Sequence, residues 1–319
     1  MALRTTAIVE IGGRSLSVSN LDKVLFPDDG FTKGDVIAYY RSVAAAILPH
    51  LRGRPLTLQR YPNGIDGSSF FEKEAPRGTP AWMQTVTVAS DGGAREVRYL
   101  LCDDEASLAF VANLAAIVLH VWTSRVPDLD APDYLLFDLD PWEGCTLSTL
   151  ARVTLRVRES LLEIGLEPLV KSTGGSGLHV MVPLADGYTY DFVKGFAELV
   201  ARRVNALEPD RTTLQRALAK RDAGTVYLDW VQVGRGKTYV VPYGLRARAG
   251  APVSCPLRWD EVEAMARKRA RSTEPEFVRY SLRTVPKRLA TFGDPWTAAA
   301  RKGQRLDVAL GRARKVWRT

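Results

Sequence analysis

Short apolar runs separated by glycine and polar turns recur along the chain, and in several of them apolar and polar positions alternate, which is typical of strands. Residues 8–11 and 14–18 flank Gly12 and Gly13 and predict a hairpin. A second hairpin is predicted around residues 91–93. The remaining strands are predicted at 55–61, 82–88, 95–101, 120–122, 134–139, 167–171, 178–184, 225–231 and 238–241, the last two joined by residues 234–236.

Apolar residues at a period of 3.6 predict helices over 34–48, 103–117, 146–164, 188–206, 212–220 and 259–270, with short helices beyond 272. Thr32 and Asp103 are the expected N-caps of the first two. Helices mixed with hairpins predict the α/β class in its broad α+β sense, with mixed or antiparallel sheets flanked by helices. We expect one catalytic domain over 1–319, with an N-terminal module to about 130, a catalytic module over 131–260 and helical elements over 261–319.

Two carboxylates end the most apolar of these strands. The segment from Tyr134 to Leu139 has one charged residue, Asp138, and Asp140 follows two positions later, before Pro141. Residues two apart on a strand point to the same side, about 7 Å apart along the chain. Like charges at the end of a buried strand repel each other, and a divalent cation with hard oxygen ligands, Mg²⁺ or Mn²⁺, is the simplest compensation. The pattern is also typical of a loop start whose second aspartate caps a helix.

A glycine-rich turn separates the strands predicted at 167–171 and 178–184. Glycines let backbone N–H groups approach phosphate oxygens, while hydroxyl and ammonium groups add donors and charge. The turn is not a Walker loop, because no Gly-Lys-Ser/Thr follows and the next element is a strand. Its candidate nucleotide-binding residues are Lys171, Ser172, Thr173, Gly174, Gly175 and His179.

A third acid, Asp229, lies in another apolar strand, and a buried carboxylate requires a partner. Five cationic residues surround it in sequence: Arg221, Arg235, Lys237, Arg246 and Arg248. Three acids flanked by such cations predict a metal-dependent triphosphate site. An ordinary salt-bridge network is the alternative.

Charge and cysteine content narrow the class of protein. The 44 Lys and Arg against 36 Asp and Glu leave a net charge of +8, which favours a polyanionic partner, although the basic residues of 301–318 are also typical of a solvated helix face. Three scattered cysteines indicate neither a disulfide framework nor a zinc cluster and favour a reducing cytoplasm. No apolar run of membrane-spanning length and no signal-peptide pattern is present.

The phenylalanine pair Phe70 and Phe71 and the lysine Lys33 each allow a structural and a functional interpretation. Phe70 and Phe71 follow a polar loop; both are expected to be tucked under that loop, with a base-stacking platform as the alternative. Lys33 stands at a helix start, where the dipole disfavours a cation, so it is either placed for an anion or simply exposed.

Four motifs in order resemble the archaeo-eukaryotic primase superfamily, specifically the polymerase domain of bacterial ligase D. They are Phe137-Asp138-Leu139-Asp140-Pro141, residues 172–180 (STGGSGLHV), Leu228-Asp229-Trp230 and residues 242–248 (PYGLRAR). The resemblance extends from about Val9 to past Glu261 and implies the two-module primase-polymerase fold with its active site between the modules. Ser176 departs from the family, in which Lys or Arg is common at this position, so one phosphate contact is absent or supplied elsewhere.

The resemblance implies roles for individual residues. Two metal ions, Mn²⁺ or Mg²⁺, would be held by Asp138, Asp140 and Asp229. The incoming triphosphate would be held by His179 and Arg246, with Ser172 and Thr173 nearby and Arg221 and Gln232 at other active-site positions. Lys23 and Lys33 match a pair that grips a 5′-phosphate, and Phe70 and Phe71 match a pair that stacks on the template. Arg60 and His120 also match family positions on the DNA side.

The function implied is that of a DNA-primed nucleotidyltransferase that fills gaps and extends 3′ ends at double-strand breaks, with a preference for ribonucleotides. A primase that starts chains without a primer, and a non-catalytic module that bridges DNA ends, are the alternatives. The expected partners are gapped, 5′-phosphorylated or broken DNA, NTP or dNTP, a DNA ligase and Ku, with dimerisation at a synapse. The expected location is the cytoplasm, in association with the nucleoid. The ligase and phosphoesterase domains of the larger protein are not in this sequence, which is either a separate polypeptide or an excised domain.

Overall fold

The computed structural model describes residues 6–89, 95–268, 277, 279–297, 300 and 302–317. It divides into two compact units. The first unit comprises Met1–Pro127, Thr238–Ser254 and Tyr280–Gly293, and the second comprises Asp128–Lys237, Cys255–Arg279 and Asp294–Thr319. The chain therefore returns twice to the first unit after entering the second at Asp128.

Helices and strands alternate along the described residues. The helices are α1 (Lys33–Ser42), α2 (Ala44–Leu51), α3 (Glu105–Asn113), α4 (Leu147–Glu163), α5 (Tyr190–Leu207), α6 (Trp259–Arg267), α7 (Val285–Phe292) and α8 (Leu306–Val316). The strands are β1 (Thr6–Ile11), β2 (Arg14–Ser19), β3 (Val24–Phe26), β4 (Phe31–Thr32), β5 (Leu56–Arg60), β6 (Phe70–Glu72), β7 (Thr85–Ala89), β8 (Glu96–Leu100), β9 (Ala116–Val121), β10 (Ser124–Arg125), β11 (Asp128–Pro132), β12 (Tyr134–Pro141), β13 (Leu169–Ser172), β14 (Leu178–Pro183), β15 (Thr212–Thr213), β16 (Val226–Asp229), β17 (Tyr239–Val240) and β18 (Pro256–Leu257).

The first unit is built on an antiparallel sheet with strand order β17-β9-β5-β8-β7, and β6 pairs with β5 beside this path. The β1–β2 hairpin is confirmed, and its two turn residues have the positive φ that glycine tolerates, +56° at Gly12 and +75° at Gly13. The strands of the second hairpin are confirmed as β7 and β8, while its turn lies outside the described residues.

Two helix predictions in the first unit are corrected. Thr32 is the N-cap of α1, in a capping box with Asp35, but the helix predicted over 34–48 is divided at Val43 into α1 and α2. The helix predicted over 103–117 is capped by Asp104 rather than Asp103 and ends at Asn113. The following residues enter β9, because Ala115 takes φ +56° and the β-branched residues after it favour a strand.

The second unit is built on a sheet with strand order β15-β16-β12-β14-β13-β18, antiparallel except for the β15–β16 pair. The apolar residues of β12 are buried, as the sequence predicts for a central strand. The long amphipathic helices α4 and α5 begin at the N-caps Thr146 and Thr189, pack on each other and contact β12. The core of this unit therefore fixes β12, which carries two of the predicted acids.

One prediction near the third acid is wrong. Residues 212–220 form the short strand β15 and a single 3-10 turn, Leu218–Lys220, rather than a helix. The strands predicted at 225–231 and 238–241 are found as β16 and β17 and belong to different sheets: β16 pairs with β12 in the second unit, and β17 pairs with β9 in the first. Local patterning identifies both strands but contains no information on their long-range partners.

The C-terminal segment is fastened to the second unit by main-chain and side-chain bonds. The Gln304 side chain accepts from the Glu167 amide at 2.7 Å and donates to the Glu167 carbonyl at 2.9 Å. Its backbone bonds Pro183 and Ala185, and the buried Trp296 indole donates to the Val170 carbonyl at 3.2 Å. This segment thus contacts the ends and the centre of the β13–β14 pair.

The three cysteines form no disulfide among the described residues. Cys102, Cys145 and Cys255 are buried free thiols, and burial raises the pKa of the Cys145 thiol to about 11. Among the described residues, no helix is both long and apolar enough to cross a membrane.

Candidate active site

The acid end of β12 lies between β16 and β14 in the second unit. Asp138 is directly opposite Asp229 on one side and His179 on the other. Residues directly opposite in antiparallel strands share a face and stand about 5 Å apart at Cα. Lys171 is in turn opposite His179, so four neighbouring strands place Asp229, Asp138, His179 and Lys171 in one row. The sheet register therefore brings together residues that lie 91 positions apart in the sequence (Asp138 to Asp229).

Asp138 and His179 are in close contact. Nε2 of His179 lies 3.1 Å from Oδ1 of Asp138, and the imidazole is almost completely buried while the carboxylate is about one-fifth exposed. Lys171 is fully buried, with its ammonium donating to the Ser172 carbonyl at 3.5 Å. Solvent exposure thus decreases along the row, from the partly exposed carboxylates of Asp229 and Asp138 to the fully buried Lys171.

The surroundings of Asp229 disfavour its charge. Burial raises its pKa, and the neighbouring charge of Asp138 raises it further, against the lowering effect of Lys237. Its Oδ1 accepts the Val231 amide at 3.0 Å and the Tyr227 hydroxyl at 3.4 Å. Two carboxylates that oppose each other's ionisation are typical of a site that binds a cation.

Asp140 lies on the same side of β12 as Asp138, directly opposite Tyr227. Gly177 approaches it closely: a Cβ added there would stand 2.6 Å from the Leu139 carbonyl oxygen and 3.5 Å from Oδ1 of Asp140. Only a residue without a side chain fits between the loop and the strand at this point. The glycine loop is therefore seated directly against the strand end that carries Asp140.

The donor set fits a hard divalent cation by type, because the three acids supply carboxylate oxygens alone. Oδ2 of Asp229 accepts no hydrogen bond from the described residues, and the charge of Asp138 opposes its ionisation. In the described part of the chain, however, no three acidic, imidazole or thiol groups converge closely enough to form a ready metal cluster. The structure places Asp138 opposite Asp229. Asp140, the third acid, lies two residues after Asp138 on β12.

The hydroxyl groups of the glycine loop are used within the fold. Oγ of Ser172 accepts the Cys255 amide at 3.0 Å, and Oγ1 of Thr173 accepts the amides of Gly175 and Gly177 at 3.1 and 3.2 Å. The loop is thereby closed on Thr173, and Gly174 takes φ +71° within it. These bonds fix the loop's shape, while its role in nucleotide binding stays a prediction.

Two predicted nucleotide-binding residues of the second unit lie near Asp229 in the chain. Arg221 stacks on Tyr227, 3.8 Å from the ring centroid, and is 5.6 Å from the centroid of Trp142. Gln232 is partly buried in the turn that follows β16. Lys237 donates to the Val231 carbonyl at 2.5 Å. Arg246 belongs to the first unit, where its amide donates to Pro252 and its side chain is partly buried.

The predicted 5′-phosphate pair lies in the first unit, where the backbone amide of Lys33 donates to the Lys23 carbonyl. Lys23 is exposed and donates to Asn63 at 3.1 Å. Lys33 is buried, which corrects the interpretation that it is simply exposed, and its ammonium donates to both Asn113 oxygens and to Ser19. These three bonds fix the position of the ammonium group.

The two phenylalanines are both exposed, at 45% for Phe70 and 61% for Phe71, which overturns the expectation that they are tucked under a loop. They lie on β6, with Phe70 opposite Arg60. The Arg60 guanidinium lies 5.3 Å from the Phe70 ring centroid and pairs with Glu72, while the Phe71 ring contacts His120 edge-on at 5.6 Å. All the predicted DNA-side residues therefore belong to the first unit.

The residue that sequence reasoning missed is Tyr227, which touches Asp229 and faces Asp140. The signal was present in the sequence, since Tyr227 and Asp229 are two apart on one strand and must share a face. Trp142, beyond the end of β12, was missed because only the long-range fold brings it near Arg221.

The chain is similar to known proteins over most of its length. Residues 32–296 match the family model described as LigD, primase-polymerase domain. The chain is 34% identical over 279 residues to the multifunctional non-homologous end joining protein LigD of Mycolicibacterium smegmatis, covering 87% of this chain and 35% of that protein. It is 29% identical over 250 residues to the bifunctional LigD of Bacillus subtilis, covering 78% of this chain and 40% of that protein.

A solved structure gives the corresponding match in three dimensions. The polymerase domain from Mycobacterium tuberculosis ligase D, in complex with DNA, superposes with a TM-score of 0.81 at 33% identity, covering 91% of this chain and 99% of that one. The chain spans little more than a third of the length of the full LigD relatives.

Proposed function

The chain belongs to the family of LigD primase-polymerase domains, and from that membership we propose that it is a DNA-primed nucleotidyltransferase that fills gaps and extends 3′ ends at double-strand breaks. The observation that carries the proposal is the facing pair Asp138 and Asp229 beside His179, at the end of a buried strand. A partly buried carboxylate pair of this kind costs stability, so it favours a catalytic protein over a bridging module.

The proposed reaction is attack of the primer 3′-hydroxyl on the α-phosphate of a bound nucleotide, with pyrophosphate as the leaving group. Asp138, Asp140 and Asp229 would hold two Mn²⁺ or Mg²⁺ ions, which when bound stabilise the attacking and leaving oxygens. His179 fixes Asp138 from one side, and Val231 and Tyr227 fix Asp229 from the other. The protein's own contribution is thus to hold two carboxylates in a fixed mutual register.

The triphosphate is proposed to contact His179, Arg246, Arg221, Gln232 and the loop that includes Lys171, Ser172 and Thr173. Support comes from the position of His179 beside Asp138 and from the Gly177–Asp140 approach, which seats the loop against the acids. A ribonucleotide preference belongs to the same proposal.

DNA is the proposed macromolecular partner, with Lys23 and Lys33 binding a 5′-phosphate at a gap and Phe70 and Phe71 stacking on the template. The backbone bond that joins Lys33 to Lys23 supports the first role, and the exposure of both rings supports the second. A DNA ligase, Ku and a second copy at a synapse are proposed partners in the same repair reaction, which takes place on nucleoid DNA in the cytoplasm.

The test is extension of a 5′-labelled primer on gapped DNA with and without a downstream 5′-phosphate, comparing Mn²⁺ with Mg²⁺ and NTP with dNTP. Templated addition that favours NTP and the 5′-phosphate is the expected result. Synthesis on unprimed single strands without extension would replace this proposal with the primase, and DNA binding without synthesis would replace it with the bridging module.

The lysine pair allows a narrower experiment. Lys23→Ala with Lys33→Ala is expected to erase the preference for the 5′-phosphorylated gap, because both cations that would face that phosphate are lost. Lys302→Ala, an exposed lysine of the second unit paired with Glu167, is the matched control and is expected to keep the preference. An unchanged preference in the double variant would remove the pocket from the proposal.

A further inference from the structure

The Tyr227 side chain touches Asp229 and also faces Asp140. It precedes Asp229 by two residues on β16, so both side chains lie on the same face, and it is directly opposite Asp140 on β12. Its hydroxyl lies 3.4 Å from Oδ1 of Asp229. The residue therefore stands between two of the three acids that the proposed function requires.

The hydrogen bonds of Asp229 are distributed unevenly. Both the Tyr227 hydroxyl and the Val231 amide donate to Oδ1, and Oδ2 accepts no bond from the described part of the chain. A carboxylate held through one oxygen is fixed in rotation, and its second oxygen is left for another ligand. The asymmetry determines which of the two oxygens is presented.

The Tyr227 ring is itself held in place. The Arg221 guanidinium lies 3.8 Å from its centroid, and this guanidinium donates to the carbonyls of Gln215 at 2.9 Å and Arg216 at 3.2 Å. Trp142 lies within 5.6 Å of the same guanidinium. Arg221 is thus anchored to the backbone of the preceding turn and stacks on the Tyr227 ring. This arrangement fixes the direction of the Tyr227 hydroxyl.

We propose that Tyr227 is a positioning residue that orients Asp229 so that Oδ2 is the oxygen offered to a divalent cation, and that Arg221 acts by holding the Tyr227 ring. This inference rests on the proposed function, because it assigns a purpose to the metal-binding acids. It also gives Arg221 a second task besides the predicted contact with the nucleotide.

The test measures Mn²⁺ binding without DNA or nucleotide, from the electron paramagnetic resonance signal of free Mn²⁺ during titration. Tyr227→Phe keeps the ring and removes the hydroxyl, and is expected to weaken Mn²⁺ binding about tenfold, the scale of loss for partners that orient a metal ligand. Tyr188→Phe, which removes a hydroxyl bonded to Asp307 in the same unit, is the matched control and should bind Mn²⁺ as the parent chain does.

A kinetic readout separates orientation from folding. Tyr227→Phe should require more Mn²⁺ for half-maximal extension yet approach the parent kcat at saturating Mn²⁺, with unchanged thermal unfolding in chelator. Arg221→Lys keeps the charge and loses the planar stack, and should weaken Mn²⁺ binding in the same direction. In the double variant the two effects should not add, since both act through one hydroxyl.

Parental Mn²⁺ affinity in folded Tyr227→Phe overturns the inference; if that variant does not fold, parental affinity in Arg221→Lys does so. Either result would leave the proposed polymerase standing if the parent chain extends primers. Conversely, a parent chain that extends no primer, together with weakened Mn²⁺ binding in Tyr227→Phe, would remove the proposed function and keep the positioning role.

Discussion

Asp229 and Glu208 are carboxylates of the same unit whose surroundings act on them in opposite ways. Asp229 faces Asp138, and burial together with that neighbouring charge raises its pKa. Glu208 ends α5 and is also partly buried, but Arg211 at 2.6 Å and Arg156 at 3.1 Å bond it and lower its pKa. Two arginines thus bond Glu208, whereas Asp229 stands opposite another carboxylate. The difference separates an acid that holds the fold together from one kept for a ligand.

The largest expected effect is on catalysis. Asp138→Asn with Asp229→Asn should lower primer extension at least about 1,000-fold, because both variants remove charge that stabilises the transition state. Glu208→Gln should extend primers at the parental rate. Both proteins would be assayed at one Mn²⁺ concentration after circular dichroism has established folding. Retained extension in the double variant would abolish the distinction between the two acids.

The next effect concerns the loop beside Asp140. Gly177→Ala forces a Cβ against the Leu139 carbonyl, so the strand end must shift, and about 1–3 kcal/mol of stability is expected to be lost together with most of the activity. Gly195→Ala is the control, since in the described part of the chain no atom outside its own helix backbone and chain neighbours lies within 4 Å of its added Cβ, and the helix α5 gains propensity. Urea unfolding and primer extension measure both. Equal stabilities for the two variants would contradict the close approach.

A smaller effect is on stability and has opposite signs at the two acids. Asp229→Asn relieves the repulsion with Asp138 and should raise the free energy of unfolding measured in chelator. Glu208→Gln loses two charge-assisted bonds and should lower it by about 1–2 kcal/mol. The measurement is urea unfolding at neutral pH. Stability changes of the same sign would show that Asp229 is a structural acid as well.

The smallest effect is the pH dependence of those stabilities. The lowered pKa of Glu208 means that its contribution is present above the carboxyl's ordinary value of 4.5 and is lost as the pH falls through the lowered value. The raised pKa of Asp229 has the reverse consequence: in chelator, stability falls as the pH rises from 3.8 through the raised value. The free energy of unfolding of Asp229→Asn and of Glu208→Gln would each be measured against the parent chain from about pH 3 to about pH 7. The two differences should change with pH with slopes of opposite sign.

Most local elements could be predicted from the sequence, because alternation and periodicity are local properties. The strand that becomes β12 was predicted from its apolar run, and α4 and α5 from their amphipathic periods. The failures occur where tertiary contacts decide. Residues 212–220 are too short a segment to hold a helix without packing, and the partners of β16 and β17 depend on sheet register.

The site was predictable in part for the same reason. The shared side of Asp138 and Asp140 follows from strand geometry alone, whereas the opposition of Asp138 to Asp229 requires the β12–β16 register. The burial of Lys33 could not be inferred, because its acceptors on Asn113 and Ser19 come from distant segments. Exposure of Phe70 and Phe71 likewise depends on β6 pairing beside the main path of its sheet.

The fastening of Gln304 and Trp296 has a practical consequence for expression boundaries. The match to the family model ends at residue 296, and a fragment trimmed there would keep every predicted acid and loop residue. It would nevertheless lose the Gln304 bonds to Glu167 and Pro183, which tie the C-terminal segment to the residues before β13 and to the end of β14. Backbone groups of Glu167 and Pro183 would then lose these partners, so solubility screens should retain the chain through Trp317, whose indole donates to Glu163.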